Sequence, residues 1–165
     1  YQHNSIVPDV CTVAKALGNG VPIGACLAQG KAAKLLTAGK HGSTFGGNPL
    51  ACSAALAVLN TLDKENIIEQ VEPKGSQLVN SFIKKLKHNP SVSNIRNKGL
   101  MIGIDLDTPC AELVKIAQEN GLLINVTADK TIRLLPPLII NSEQIELLAE
   151  TLSQLIEEFT TRCKK

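Results

Sequence analysis

One lysine stands in a setting that could do chemistry. Lys15 lies in the run Thr12-Val13-Ala14-Lys15-Ala16-Leu17-Gly18-Asn19-Gly20-Val21-Pro22-Ile23-Gly24-Ala25, among small and apolar residues and beside a glycine-rich turn. Desolvation there would disfavour the ammonium, lower its pKa and leave a nucleophilic amine. Spacing alone leaves the ordinary alternative open, an exposed lysine ahead of a loop. The second run is His41-Gly42-Ser43-Thr44-Phe45-Gly46-Gly47-Asn48-Pro49-Leu50-Ala51-Cys52. The hydroxyls of Ser43 and Thr44, the flexible glycine pair and a following helix start suit an anion, because a helix N-terminus offers free N–H groups and a positive dipole end. A glycine-rich loop ending in an ordinary capped helix has the same spacing. The pattern GxxxxGK[ST] is absent, which argues against nucleotide phosphates.

These residues need elements to hold them. Residues 1–50 are rich in Gly and Pro with short apolar runs, the pattern of strands and loops from a sheet domain. Asn48 can cap a helix whose first position is Pro49, and Leu50 to Leu62 is apolar nearly all round, which predicts a helix buried on several sides. A second helix is expected from about Ile67 to Leu86, with Val71, Leu78, Val79, Phe82, Ile83 and Leu86 on its apolar side. Lys74, Lys84, Lys85 and Lys87 would form its solvated face. Leu100 to Leu106 alternates around Gly103 as a strand does, and Thr108-Pro109 would open a helix that Gly121 ends. Leu122 to Val126 and Thr131 to Leu135 read as strands joined at Ala128-Asp129-Lys130. Asn141 or Ser142 caps a last helix with Ile145, Leu148, Leu152, Leu155, Ile156 and Phe159 at helical spacing. From about residue 70 the pattern is a small α+β layer with helices on one face of a sheet.

Composition narrows the function classes. The formal net charge is +2 and aromatics make up 2%, so neither a basic footprint nor stacking platforms for nucleic acid are present. No apolar run reaches membrane-span length. The start, Tyr1-Gln2-His3-Asn4, lacks signal-peptide character and an initiator Met, so the chain is expected to begin inside a longer sequence. Cys11, Cys26, Cys52, Cys110 and Cys163 form no CxxC pair, and His3, His41 and His88 are scattered. Free thiols in a reducing cytosol, and no metal, are the expectation.

Taken together, the Lys15 and Thr44 runs resemble the cofactor-lysine and helix-start motifs of the class III aminotransferases, enzymes of fold type I that use pyridoxal 5′-phosphate (PLP). Tyr1-Gln2-His3 followed by Pro8-Asp9 resembles the segment leading into that lysine. The similarity runs from Tyr1 to about Leu59 and continues more loosely through Gly99-Leu100-Met101-Ile102-Gly103 and Ile132-Arg133-Leu134-Leu135-Pro136-Pro137. Within the class, AKALGNGVPIGA and HGSTFGGNPLAC are most similar to the acetylornithine branch, with the ornithine and succinylornithine branches near relatives.

The resemblance implies an α/β fold class: the C-terminal part of a fold type I transferase, with residues 1–62 ending the large PLP-binding domain and residues 63–165 forming the small α+β domain. Lys15 matches the lysine that binds the cofactor covalently. Thr44 matches the residue reaching the cofactor phosphate, in this family from the neighbouring subunit, and Ser43 a position near bound substrate. Arg133 matches the arginine near the substrate carboxylate, a task its planar fork suits; an exposed strand arginine in a salt bridge is the alternative. The implied activity is transfer of an amino group from N-acetylornithine, or a related ω-amino acid, to 2-oxoglutarate in a cytoplasmic homodimer. The family's glycine-rich phosphate loop, ring-stacking aromatic and pyridine-nitrogen aspartate precede the segment matched by Tyr1, and Asp105-Leu106-Asp107-Thr108-Pro109 is short for its place. A catalytically incomplete piece that serves only in assembly is therefore the competing expectation, and such a piece should associate and bind PLP weakly.

Overall fold

The computed structural model describes residues 1–163. The chain divides into two compact units, Tyr1–Glu65 and the remainder from Asn66.

The first unit is a hairpin, connecting turns and one long helix. Strands β1 (Val10–Val13) and β2 (Ala25–Ala28) pair antiparallel, with Cys11 opposite Leu27. A short 3-10 turn, Lys15–Leu17, follows β1 directly. Gly18 closes it at a close approach: a Cβ there would lie 2.1 Å from the Val21 carbonyl oxygen. Helix α1 (Pro49–Lys64) begins as its sequence predicts, with Pro49 in its first turn and the Asn48 side chain accepting from the Ala51 N–H at 3.0 Å. It packs on the Lys15–Leu17 turn. Its expected burial on several sides is not found here. Only Ala51 and Ala55 are buried, while Leu50, Leu56 and Leu59 face solvent.

The second unit has its own core. Helix α2 (Ile67–Lys85) contains Pro73. A four-stranded antiparallel sheet in the order β3-β4-β6-β5 is built from β3 (Val92–Lys98), β4 (Met101–Leu106), β5 (Asn125–Thr127) and β6 (Thr131–Leu134). Helix α3 (Leu113–Glu119) and helix α4 (Ser142–Cys163) complete the unit. Alternation sends Ile102, Ile104, Leu106, Ile132 and Leu134 to one face. There they pack with Leu78 and Phe82 of α2, Leu113 of α3, and Ile145, Leu152 and Ile156 of α4. The start of α4 is a reciprocal cap: Gln144 N–H donates to Asn141 Oδ1 at 2.9 Å, and Asn141 N–H to Gln144 Oε1 at 3.0 Å.

Two glycines set the distance between α2 and the sheet. A Cβ on Gly75 would lie 2.1 Å from the Gly99 carbonyl oxygen. Gly99, at φ 54°, would in turn meet Val71 Cγ1 at 2.6 Å, and its N–H donates to Glu72 Oε2 at 3.1 Å.

Three local expectations change. Strand β3 has no counterpart in the sequence reading. Helix α3 starts at Leu113 rather than at Thr108-Pro109, because the stretch after β4 stays tied to the β5–β6 hairpin: Leu106 N–H donates to Lys130 O and Cys110 N–H to Asp129 O, both at 2.9 Å. The lysine face of α2 is only partly solvated: Lys74 is half-buried with Nζ donating to Leu138 O at 3.0 Å, and Lys85 pairs with Glu150.

Candidate active site

Lys15 is held by the backbone in an unusual way. Its φ is 53°, in the left-handed region that residues with a Cβ seldom adopt, and it follows Ala14 in a fully extended conformation. Such positions store strain and concentrate at functional sites. The side chain is exposed. The desolvation expected around Lys15 is thus not supplied by residues of this chain.

Ser43 and Thr44 are both exposed in the loop before α1. Ser43 Oγ accepts from Gly46 N–H at 3.1 Å, and Asn48 Nδ2 donates to Phe45 O at 2.9 Å, which folds the loop on itself. A Cβ on Gly46 would lie 2.8 Å from Ser43 Cβ, so the turn requires glycine. The α1 N-terminus offers less to an anion than its position promised. Pro49 has no N–H, Ala51 donates to Asn48 Oδ1, and Cys52 donates to Asn48 O at 3.0 Å. An anion here would depend on the hydroxyls and loop amides.

Arg133 lies in the second unit, on the sheet face away from the core. Its register partners are Gly103 on β4 and Asn125 on β5. It is half-buried, and its Nε is buried without a hydrogen-bond partner. The salt bridge that would make it an ordinary surface residue is not present among the described residues. Arg133 lines a groove of about 360 Å³ with Arg96, Lys98, Met101, Gly103 and Thr131. Across that face Asp105 pairs with Arg96 and accepts from Thr131 Oγ1 at 2.7 Å. Burial works to raise the Asp105 carboxyl, but the hydrogen bonds from Arg96 and Thr131 and the Arg96 charge hold it below its usual range. Sequence reasoning did not single out Arg96 or Asp105. The alternation of β4 carried a signal for Asp105, which with Gly103 lies opposite the core residues; Arg96, on β3, had none.

Elsewhere the chemistry is quiet. The five cysteines are free, and burial pushes the Cys110 thiol up, which disfavours its thiolate. Among the described residues no group of three His, Cys, Asp or Glu could hold a metal ion, and no helix is long and apolar enough to cross a membrane.

Residues 1–156 match the family aminotransferase class III. The chain belongs to that family. It is 46% identical over 159 residues to acetylornithine aminotransferase 1 of Bordetella pertussis, covering 96% of this chain and 40% of that protein. It is 48% identical over 158 residues to the acetylornithine aminotransferase of Mycolicibacterium smegmatis, covering 95% and 40%. Among solved structures it resembles the ornithine aminotransferase of Toxoplasma gondii, with TM-score 0.89 and 30% identity, covering 98% of this chain and 39% of that one. It also resembles the acetylornithine aminotransferase of Elizabethkingia anophelis, with TM-score 0.84 and 35% identity, covering 95% and 43%. The chain therefore spans about two-fifths of the length of these relatives. Class III aminotransferases are PLP-dependent transaminases of amino and keto acids, and the α/β fold here is part of that architecture. The donor set fits such a cofactor in kind: a strained, accessible lysine amine for its aldehyde and paired hydroxyls ahead of a helix for its phosphate.

Proposed function

We propose that this chain carries the cofactor-lysine portion of a PLP-dependent aminotransferase that moves the terminal amino group of N-acetylornithine to 2-oxoglutarate, giving N-acetylglutamate semialdehyde and glutamate. Residues 1–62 would belong to the large PLP-binding domain and residues 63–165 to the small domain. The observation that carries the reading is Lys15, held at φ 53° inside the run that matches the family; the relatives' names supply the amino donor. PLP supplies an electron sink for the carbon that loses its proton.

The protein's residues do the rest. Lys15 would hold the cofactor, and its amine would move the proton at the carbon bearing the transferred nitrogen. Such positioned proton transfer contributes ~10² to 10⁴-fold in rate. Thr44 would donate its hydroxyl to the phosphate, from the neighbouring subunit of a homodimer, and Ser43 would lie beside the substrate. Arg133, with Nε lacking a partner, takes a substrate carboxylate through its fork. The free cysteines accord with a cytoplasmic setting.

Borohydride reduction of the PLP-loaded complete enzyme, followed by peptide mapping, tests the reading. The pyridoxyl group should sit on Lys15, and Lys15→Ala should cut turnover by orders of magnitude. A label on another lysine overturns the assignment.

A second reading, in which the isolated chain is only an assembly piece, is favoured by apolar exposure in the first unit, where Phe45 is 81% and Leu50 75% exposed. Size-exclusion chromatography with a PLP titration separates the two. A monomer that binds PLP stoichiometrically and transaminates removes the second.

A further inference from the structure

The four strands of the second unit contain a single carboxylate, Asp105, and three cations, Arg96, Lys98 and Arg133. Cross-strand register lines up Arg96, Gly103 and Arg133 on neighbouring strands, with Asp105 opposite Thr131. Arg133 is therefore one diagonal step from Asp105, a separation of roughly 7–8 Å that long side chains can span. A free carboxylate at that distance would attract the guanidinium. Yet Arg133 Nε has no partner.

The reason is visible at Asp105. Its Oδ2 is held by the Arg96 guanidinium and approached by Asn94 Nδ2 at 3.5 Å, and its Oδ1 takes the Thr131 hydroxyl at 2.7 Å. Both oxygens are occupied. Gly103 makes this possible, because Arg96 lies across it: a Cβ there would come within 3.3 Å of Arg96 Cζ.

We infer that Arg96 and Asp105 are positioning residues: by satisfying each other they keep Asp105 from capturing Arg133, and so leave the Arg133 fork open for the substrate carboxylate. This rests on the reading of Arg133 as the carboxylate-binding residue. Without Arg96, Asp105 would be left with an open oxygen, and Arg133 is the cation its register brings nearest. An intramolecular pair would then compete with every incoming carboxylate. The Arg96–Asp105 pair thus acts on affinity through a residue it does not touch.

The test uses the 165-residue chain, with glutarate as an unreactive dicarboxylate probe. Calorimetry and the ¹⁵N–H signals of the arginine side chains are the readouts. Arg96→Met keeps the apolar stem over Gly103 while removing the charge. It should weaken glutarate binding by about tenfold, equivalent to about 1.4 kcal/mol. Without glutarate it should also shift the Arg133 Nε–H signal, and that shift should titrate with Asp105. The double variant Arg96→Met with Asp105→Asn should restore binding, because the competing carboxylate is gone. Asp105→Asn alone should bind glutarate at least as well as the parent, which keeps the idea testable if Arg96→Met does not fold. Unchanged binding in Arg96→Met, no recovery in the double variant, or weaker binding in Asp105→Asn overturns the inference. If Arg133→Ala binds glutarate as the parent does, the carboxylate reading of Arg133 itself falls, and the inference falls with it.

Discussion

The two units of this chain are built to different rules. From Asn66 onward, three helices cover one face of a complete four-stranded sheet, and Phe82, Ile104, Ile132, Ile145 and Ile156 are almost wholly removed from water. In Tyr1–Glu65 the buried apolar residues are Ala51 and Ala55, while Leu35, Leu36, Phe45, Leu50 and Leu56 stay exposed. Lys15, Ser43 and Thr44 lie in that thinly packed unit. The contrast is that Lys15, Ser43 and Thr44, proposed to serve the cofactor and substrate, sit where little is buried, whereas Arg133, proposed to take a carboxylate, rests on the packed sheet of the second unit. The first unit is organised by turns, caps and a strained lysine rather than by burial.

The largest expected effect divides the units most sharply. Phe82→Ala should destabilise the second unit by roughly 3–5 kcal/mol, since it empties a fully buried site. Leu56→Ala, on an exposed face of α1, should change stability by no more than about 0.5 kcal/mol. Denaturant unfolding of both variants, followed by circular dichroism, checks the pair. Equal effects would break the comparison.

A second substitution sharpens it. Gly75→Ala would raise helix propensity in an isolated helix, yet here the new Cβ meets the Gly99 carbonyl oxygen at 2.1 Å. It should destabilise by about 1–3 kcal/mol, as overpacking does. A stabilised variant would mean that α2 is not closely fitted to the sheet.

The smallest effect depends on pH. Asp105 has its folded pKa below the unfolded value, so its contribution is fully present above the ordinary carboxylate pKa of about 3.9. It is lost as pH falls through the folded pKa. Asp105→Asn should therefore show a flatter fall in melting temperature below about pH 4 than the parent. Thermal melts across that range measure it, and identical slopes would remove Asp105 from the acid response.

What the sequence made legible follows the same divide between local and distant causes. Helices α1 and α4 could be read because their caps are local: Asn48 satisfies Ala51, and Asn141 and Gln144 satisfy each other. The β5–β6 hairpin was legible from its β-rich runs, although its tip places Ala128 and Asp129 at positive φ, which no glycine announced. Strand β3 was missed because Val92 and Ile95 are its only apolar residues and a register shift between Val92 and Asn94 breaks the alternation. Thr108-Pro109 looked like a helix start, but hydrogen bonds to residues some twenty positions away outcompete it. The Lys15 run was legible as text, whereas its left-handed backbone was not. Arg96 and Asp105 were hidden because their meaning lies in cross-strand register, which pairs β3, β4 and β6 in space.

The contact between Gly75 and Gly99 has a mechanical consequence. Side chains that meet across an interface can change rotamer and take up small displacements. Here backbone meets backbone, and there is nothing to rotate. Any slide of α2 along its axis must push the turn that opens β4, and β4 carries Gly103 and Asp105 towards the Arg133 groove. The approach leaves little slack between α2 and the turn that opens β4.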